Sequence, residues 1–339
     1  MADYFPENRG ALNLAVQGEI PNEGFRPGQV GALHAVLAHI SVHDDPAIVC
    51  LPTGYGKTSV MMALPMLLGA KRVLVVEPSD ALRRQVSSHF RELSTLRRIK
   101  VIDSNLPNPA VHRLEGKPEN ADAWRAFEEF DVVVSTPASS SPAVAPGAAP
   151  NLFDLVVFDE AHHAPADTWA AYLDHYRSAR FVFLTATPFR RDGRVILGRL
   201  AYRYPVMRAL EEGAFQPISF LAAPVEDALD DEHVDQVIAE LAVRQLRADI
   251  EAGYDHRLFV RAATISAARA LVPLYKRLGV NVEAIDSKVS KRTQDDCERR
   301  LVSGDIQGIV CVDMFGEGYD FPKLKIAART CPHFCGRGG

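Results

Sequence analysis

Short, nearly unbroken runs of aliphatic residues recur along the first two thirds of the chain, separated by longer stretches with helical spacing. In order they are AIVCL (47–51), RVLVVEP (72–78), DVVVS (131–135), DLVVFDE (154–160) and FVFLTAT (181–187). Strands apolar on both faces that alternate with helices predict a mostly parallel sheet covered on both sides. The small-residue, Pro-rich stretch SSSPAVAPGAAPN (139–151) is expected to be a mobile surface loop between two strands. The alternation pauses after residue 200, at YRYPVMRALEEGAFQP, and the acidic EDALDDEHVD (226–235) is expected to be the solvated start of a helix. It then resumes with RLFVR (257–261), a helix over 265–278, VNVEAID (280–286), a helix over 290–303, GIVCVD (308–313) and LKIAA (324–328). The pattern predicts two α/β domains, 1–206 and 217–339, joined by a linker over 207–216.

Composition changes this picture little. A length of 339 residues, 47% apolar and 24% charged, suits two domains with real cores. The net charge of −5 excludes a globally basic nucleic-acid coat but leaves room for a local basic groove. No apolar run approaches the roughly 20 residues of a membrane span, so no membrane partner is expected. The start MADYFPENRG shows no export leader, and a cytoplasmic protein is expected. The five cysteines, at 50, 297, 311, 331 and 335, are expected to be reduced thiols. Cys331, His333 and Cys335 lie close together but lack the fourth ligand of a structural zinc site, so no metal is assigned there.

Candidate chemistry begins at LPTGYGKTSV (51–60). A phosphate loop needs glycines so that backbone N–H groups can curl around an anion, and a helix N-terminus to add its positive end. Gly54 and Gly56 supply the freedom, Lys57 a charge for the outer phosphates, and the Thr58 hydroxyl a magnesium ligand. Thr53, Tyr55 and Ser59 complete the candidate ATP-binding set. Leu51 stands where the usual motif begins with glycine, so a Gly-rich turn with a surface lysine is the competing reading of this stretch alone. Asp159-Glu160 ends an apolar strand, where open α/β sheets gather their ligands. Asp159 suits a magnesium ion, and Glu160 suits the orientation and deprotonation of an attacking water. A solvated acidic strand end is the bland alternative.

Six segments then carry a resemblance: LPTGYGKT, VLVVEPSDALRRQ, VVVSTP, FDEAHH, FLTATPFRRDG and IVCVDMFGEGYDFP. Their order is that of superfamily two helicases of the DEAH type, and the chain is similar to the group containing restriction-enzyme motor subunits, from about residue 24 to 328. The resemblance implies two RecA-like domains, the second incomplete, and an ATP-dependent helicase or translocase that uses Mg2+ and moves along nucleic acid. DNA is favoured and RNA is left open. A separate nuclease or another defence or repair subunit is implied as a partner, because the chain shows no nuclease constellation.

Residue by residue, the resemblance implies that Gln29 of FRPGQ reads the adenine edge and that His162 joins Lys57, Asp159 and Glu160 in the catalytic set. Thr185 and Thr187 couple the phosphate site to the strand path. Ser79, Arg83, Thr136 and Pro137, with Arg190 and Arg191, are implied contacts of the strand backbone. For Arg83 and Arg84 a solvated helix face is an equal alternative. In the second domain Gly318 and Asp320 are implied to face the nucleotide, as is Arg337 of the ending RTCPHFCGRGG. That ending supplies His333, Gly336 and Arg337 of the family's last motif without its second arginine. It is expected to be a fragment or a disrupted frame rather than a compact variant, with impaired hydrolysis. Two rival readings remain: a nucleotide-regulated nucleic-acid binder with little turnover, and an unrelated P-loop kinase, which leaves TATP and GEGYD unexplained.

Overall fold

The apolar runs form the interior of two parallel sheets. The computed structural model describes residues 3–18, 23–161, 166–187, 197–215, 218–221, 231–286, 289–312, 321 and 323–329. They group into two compact units, Met1–Pro217 and Ile218–Gly339. Strands of the first unit are β1 (Ala47–Cys50), β2 (Val73–Val76), β3 (Val111–Arg113), β4 (Val132–Ser135), β5 (Leu155–Phe158), β6 (Arg180–Thr185) and β7 (Arg199–Arg203). They pair in the order β3-β4-β2-β5-β6-β1-β7, every pairing parallel.

Each central strand is buried on both faces, which is why it reads as a continuous apolar run. On one face Val49, Val75, Val134, Val157 and Leu184 pack under the helices Pro27–Val42, Lys57–Leu68 and Asp80–Glu92. On the other, Val76, Phe158 and Phe183 meet an aromatic layer that includes Trp124, Phe153, Trp169, Tyr172 and Tyr176. The second unit holds β8 (Arg257–Arg261), β9 (Val282–Ile285), β10 (Gly308–Cys311) and β11 (Leu324–Arg329), in the parallel order β11-β8-β10-β9. Helices Asp231–Glu251 and Ile265–Arg277 cover one face, and Lys291–Ser303 covers the other.

The expected strands are all present, and the structure adds two. Both additions, β3 and β7, lie at the sheet's edges, where VHR and RLAYR alternate rather than run apolar. The stretch 139–151, expected to be mobile, is packed instead. Ala145 and Ala148 are buried in the aromatic layer, and the His175 ring bonds the Ala148 carbonyl at 2.9 Å. Small side chains there serve close packing, not looseness. Of the expected linker, residues 207–215 are built into the first unit: Val206–Glu211 is a helix, Ala209 is in the core, and Phe215 packs against it.

Among the described residues no helix is long and apolar enough to cross a membrane. Cys50, Cys297 and Cys311 are buried and stand outside any disulfide. The cluster Cys331, His333 and Cys335 lies outside the described residues, as does most of the acidic stretch before Asp231.

Phe158 shows how the core sets the site. Its ring is edge-on to Tyr172 at 5.0 Å and to Phe183 at 5.3 Å, and the next residue in the chain is Asp159. Replacing it with alanine should cost about 3–5 kcal/mol by removing the ring and leaving a cavity, a loss to be read from denaturant unfolding.

Candidate nucleotide site and the cavity beside it

All the candidate residues of the first unit that the structure describes, except Gln29 and Arg83, lie at the C-terminal ends of the strands, in the loops that follow them or in the first turn of the helices those loops enter. β1 runs into 51–56, and the helix Lys57–Leu68 begins directly after Gly56. Gly54 and Gly56 adopt φ of +77° and +94°, a region that glycine enters without a Cβ clash. At Gly56 a Cβ would also lie 2.3 Å from the Gln29 amide nitrogen. Leu51, the departure from the usual motif, is fully buried and its N–H donates to the Thr185 carbonyl at 3.0 Å. That position still extends the β-ladder toward β6, so the turn starts only after it.

The Lys57 side chain is buried, and its Nζ lies 2.6 Å from Glu160 Oε1. Glu160 takes φ of +44°, a strained setting for a residue with a Cβ, and its N–H donates to Asp159 Oδ1 at 2.9 Å. Burial first, then the neighbouring Glu160 charge, pushes the Asp159 carboxyl up to about 6. Thr58 is half-buried in the first helical turn, and Ser59 is buried behind it. Thr53 and Gly54 are exposed at the loop tip. The oxygen-rich set of Thr58, Asp159 and Glu160 is the donor chemistry that a hard cation such as Mg2+ takes.

The loop is braced from behind. Gln29 Nε2 donates to the carbonyls of Tyr55 and Gly56, each at 3.0 Å, and its Oε1 accepts from the Arg26 N–H at 2.8 Å. The amide expected on a base edge thus has both ends occupied by the protein, and it holds the loop. The Tyr55 hydroxyl donates to Glu212 at 2.6 Å and accepts from the Gly28 N–H at 3.1 Å, while Tyr204 donates to the other Glu212 oxygen. Arg26 sits over the Tyr55 ring, 5.3 Å from its centroid, and donates to the Gly54 carbonyl at 3.2 Å. Glu212 carries no signal in the sequence beyond its charge, and Arg26 none beyond its place in FRPGQ.

The expected strand contacts divide. Ser79 is exposed and caps the helix Asp80–Glu92, its Oγ accepting from the Leu82 N–H at 3.3 Å. Pro137 is half-buried at the start of a short helix, and Thr136 before it is buried, with its hydroxyl 3.3 Å from Ser139 Oγ. Arg83 is buried and turned inward: it donates to the Leu114 carbonyl at 2.7 Å and lies 3.3 Å from Asp80. The guanidinium expected on a phosphate therefore ties its helix to the end of β3. Thr185 donates to the Thr187 carbonyl at 2.8 Å and accepts the Thr187 N–H at 3.1 Å, so the two threonines form one turn. His162, Arg190, Arg191, Gly318, Asp320 and Arg337 lie outside the described residues.

Glu77, which no sequence motif singles out, is fully buried one residue past β2. The register Val76↔Phe158 sets it beside Asp159, and its N–H donates to the Ser135 carbonyl at 2.9 Å. A cavity of about 360 Å³ is bounded by Glu77, Ser79, Thr136, Pro137, Asp159 and Glu160. Among the described residues no group of three or more His, Cys, Asp or Glu side chains is placed to hold a metal ion.

Parallel sheets with helices on both faces, and a glycine loop entering a helix beside an acidic strand end, define the RecA-like class of nucleotide-site fold. The Mycobacterium smegmatis helicase Lhr, in a structure with ssDNA and AMP-PNP, superimposes with a TM-score of 0.58 at 19% identity, covering 88% of this chain and 41% of that one. Residues 22–190 match the family model ResIII, the type III restriction enzyme res subunit. Together with the helicase relatives, this match supports helicase superfamily two, in its ResIII-like group.

Relatives include the ATP-dependent RNA helicase ROK1 of Kluyveromyces lactis, 24% identical over 88% of this chain and 54% of its own. A type I restriction enzyme EcoAI endonuclease subunit of Escherichia coli is 22% identical over 58% of this chain and 24% of its own. The chain spans about half or less of the length of these curated relatives.

A carboxyl whose pKa is raised by folding is charged more easily in the unfolded chain. Stability is therefore lost as pH rises from the ordinary 3.8 through about 6. Asp159→Asn should raise the thermal midpoint at pH 7.5, by stabilisation on the order of 1–3 kcal/mol, and the gain should vanish near pH 4. Melting curves at the two pH values check both the size and the sign.

Proposed function

We propose that this chain hydrolyses ATP in response to a nucleic-acid strand and couples the cleavage to movement along it, as a helicase or translocase, with DNA the favoured strand. The buried Lys57–Glu160 pair at 2.6 Å, set beside Asp159 at the mouth of a glycine loop, is the observation that carries the reading. A lysine paired this closely to a carboxylate is ready to exchange that partner for a phosphate, and the carboxylate it releases is then free to accept a proton from water. In this reading Thr58 and Asp159 hold Mg2+, which supplies charge neutralisation to the phosphates.

Thr53 to Ser59 cradle the triphosphate, Gln29 keeps their backbone in shape, and Thr185 with Thr187 relays changes in the phosphate site along the strand ends. Ser79, Thr136 and Pro137 offer a hydroxyl, backbone groups and helix starts to the sugar–phosphate chain, contacts that position a strand without reading its sequence. The two compact units are proposed to be the two motor domains. His162, Gly318, Asp320, Arg337, Arg190 and Arg191 keep the roles that the family resemblance implies. A nuclease or another defence or repair subunit is the proposed partner, in keeping with the restriction-enzyme family model that residues 22–190 match.

Steady-state ATPase of the whole chain with single-stranded DNA, duplex DNA and RNA tests the proposal. Turnover should rise at least about tenfold with single-stranded DNA, and Lys57→Ala should lower it at least about a hundredfold. Nucleotide-dependent strand binding without turnover would make the chain a regulated binder. A phosphorylated small molecule formed without any response to strands would return the kinase reading.

A further inference from the structure

Glu77 takes no part in the mechanism above, yet its burial is costly. It is completely buried, and neither Oε1 nor Oε2 meets a hydrogen-bond partner among the described residues. A buried acceptor without a donor costs about 1–3 kcal/mol, and a carboxylate costs more. An apolar side chain of similar size would fill the same space more cheaply. Burial first, then the Asp159 and Glu160 charges, hold its pKa well above the ordinary carboxylate value, while Lys57 opposes them.

Its position gives the expense a use. Glu77 stands just past the end of β2, between two sets of residues that otherwise belong to separate functions. Two residues later in the chain is Ser79, the exposed cap of the helix Asp80–Glu92. On the β4 side, Glu77 is bonded through its N–H to Ser135, the residue before Thr136. On the β5 side it neighbours Asp159 in the sheet register. The 360 Å³ cavity has the candidate strand contacts Ser79, Thr136 and Pro137 on one wall and Asp159 and Glu160 on the other, with Glu77 lining the space between them.

We propose that Glu77 is a positioning residue: through its backbone bond to β4 and its place beside Asp159 in the sheet register, it orients Glu160 for the attacking water when a strand covers the Ser79–Thr136 wall. The inference rests on the proposed ATPase reading and adds to it the route by which strand occupancy reaches hydrolysis. The route is short. A strand lying on Ser79 and Thr136 closes the cavity from outside and steadies the ends of β2 and β4, which fixes the geometry between the Glu77 and Asp159 carboxyl groups on adjacent strands.

The test uses the whole chain with Glu77→Leu and Glu77→Gln. It compares kcat and KM for ATP at saturating single-stranded DNA, strand affinity with a non-hydrolysable ATP analogue, and thermal melting. Glu77→Leu should lose at least about tenfold in strand-stimulated kcat while KM and strand affinity stay within about threefold. Its melting point should be no lower than the parent's, because an unpartnered carboxyl has been removed. Glu77→Gln, which keeps the shape and one acceptor, should recover part of the rate but remain at least about threefold below the parent. A folded Glu77→Leu chain with strand-stimulated kcat within about twofold of the parent overturns the inference. If the leucine variant does not fold, the glutamine variant decides, and parental kcat there overturns it equally. A parent chain that ignores strands altogether overturns the proposed function, and this inference falls with it.

Discussion

The ion pair between Lys57 and Glu160 is the constraint around which the first unit is arranged. Both side chains are more than nine-tenths buried, and they come from segments about a hundred residues apart. Taking two charges out of water costs several kcal/mol per ion before their attraction returns any of it. Such a pair is a poor stabiliser, so the fold carries it for its position. Parallel pairing of β5, β6 and β1 puts the two segments on one edge of the sheet, and the cover of the helix Lys57–Leu68 keeps solvent from screening them. In that setting a change of partner for the lysine is a large electrostatic event, and neighbouring groups feel it.

The rest of the site restricts what can move in response. Gln29 and Tyr55 fasten the glycine loop from behind, and Glu212 receives both tyrosine hydroxyls. Burial, and the Glu212 carboxylate it donates to, hold the Tyr55 phenol well above its ordinary pKa, so it remains a donor. The segment before the first strand and the segment after the last are therefore joined through one loop residue. A loop held at both ends keeps its N–H groups converging on one point, and an anion that binds there meets little reorganisation cost.

How much of this was legible in the sequence depends on whether a residue type or a side-chain direction had to be known. Central strands were legible because burial on two faces demands an unbroken apolar run, as in VLVV and LVVF. The edge strands VHR and RLAYR were not, because one exposed side lets polar residues alternate in. Lys57, Asp159 and Glu160 could be found from type and spacing alone. Gln29 and Arg83 could be found too, but not the way they face: the glutamine amide turns to the loop, and the guanidinium turns to a carbonyl in the core. Glu77 was hidden for the opposite reason. A carboxyl one residue past a strand ordinarily reads as solvated, and only the packing of β4 and β5 on either side shows that it is enclosed.

These directions bear on how a strand would be held. With Arg83 spent inside the protein, the described strand-contact candidates are a hydroxyl, a proline-capped turn and helix starts, none of them a full positive charge. Facing the same cavity are Glu77, Asp80, Asp159 and Glu160. A polyanion approaching this edge meets neutral donors backed by carboxyl groups, so its attraction there is local, and few counterions are released by these contacts. A grip made of neutral hydrogen bonds is also easily altered by small shifts in geometry, whereas a cluster of lysines and arginines would hold a strand much the same in every state. Under the proposed function, the acidic lining suits an edge that tightens and releases with the nucleotide, with the carboxyl row at the strand ends as the element between the two ligands.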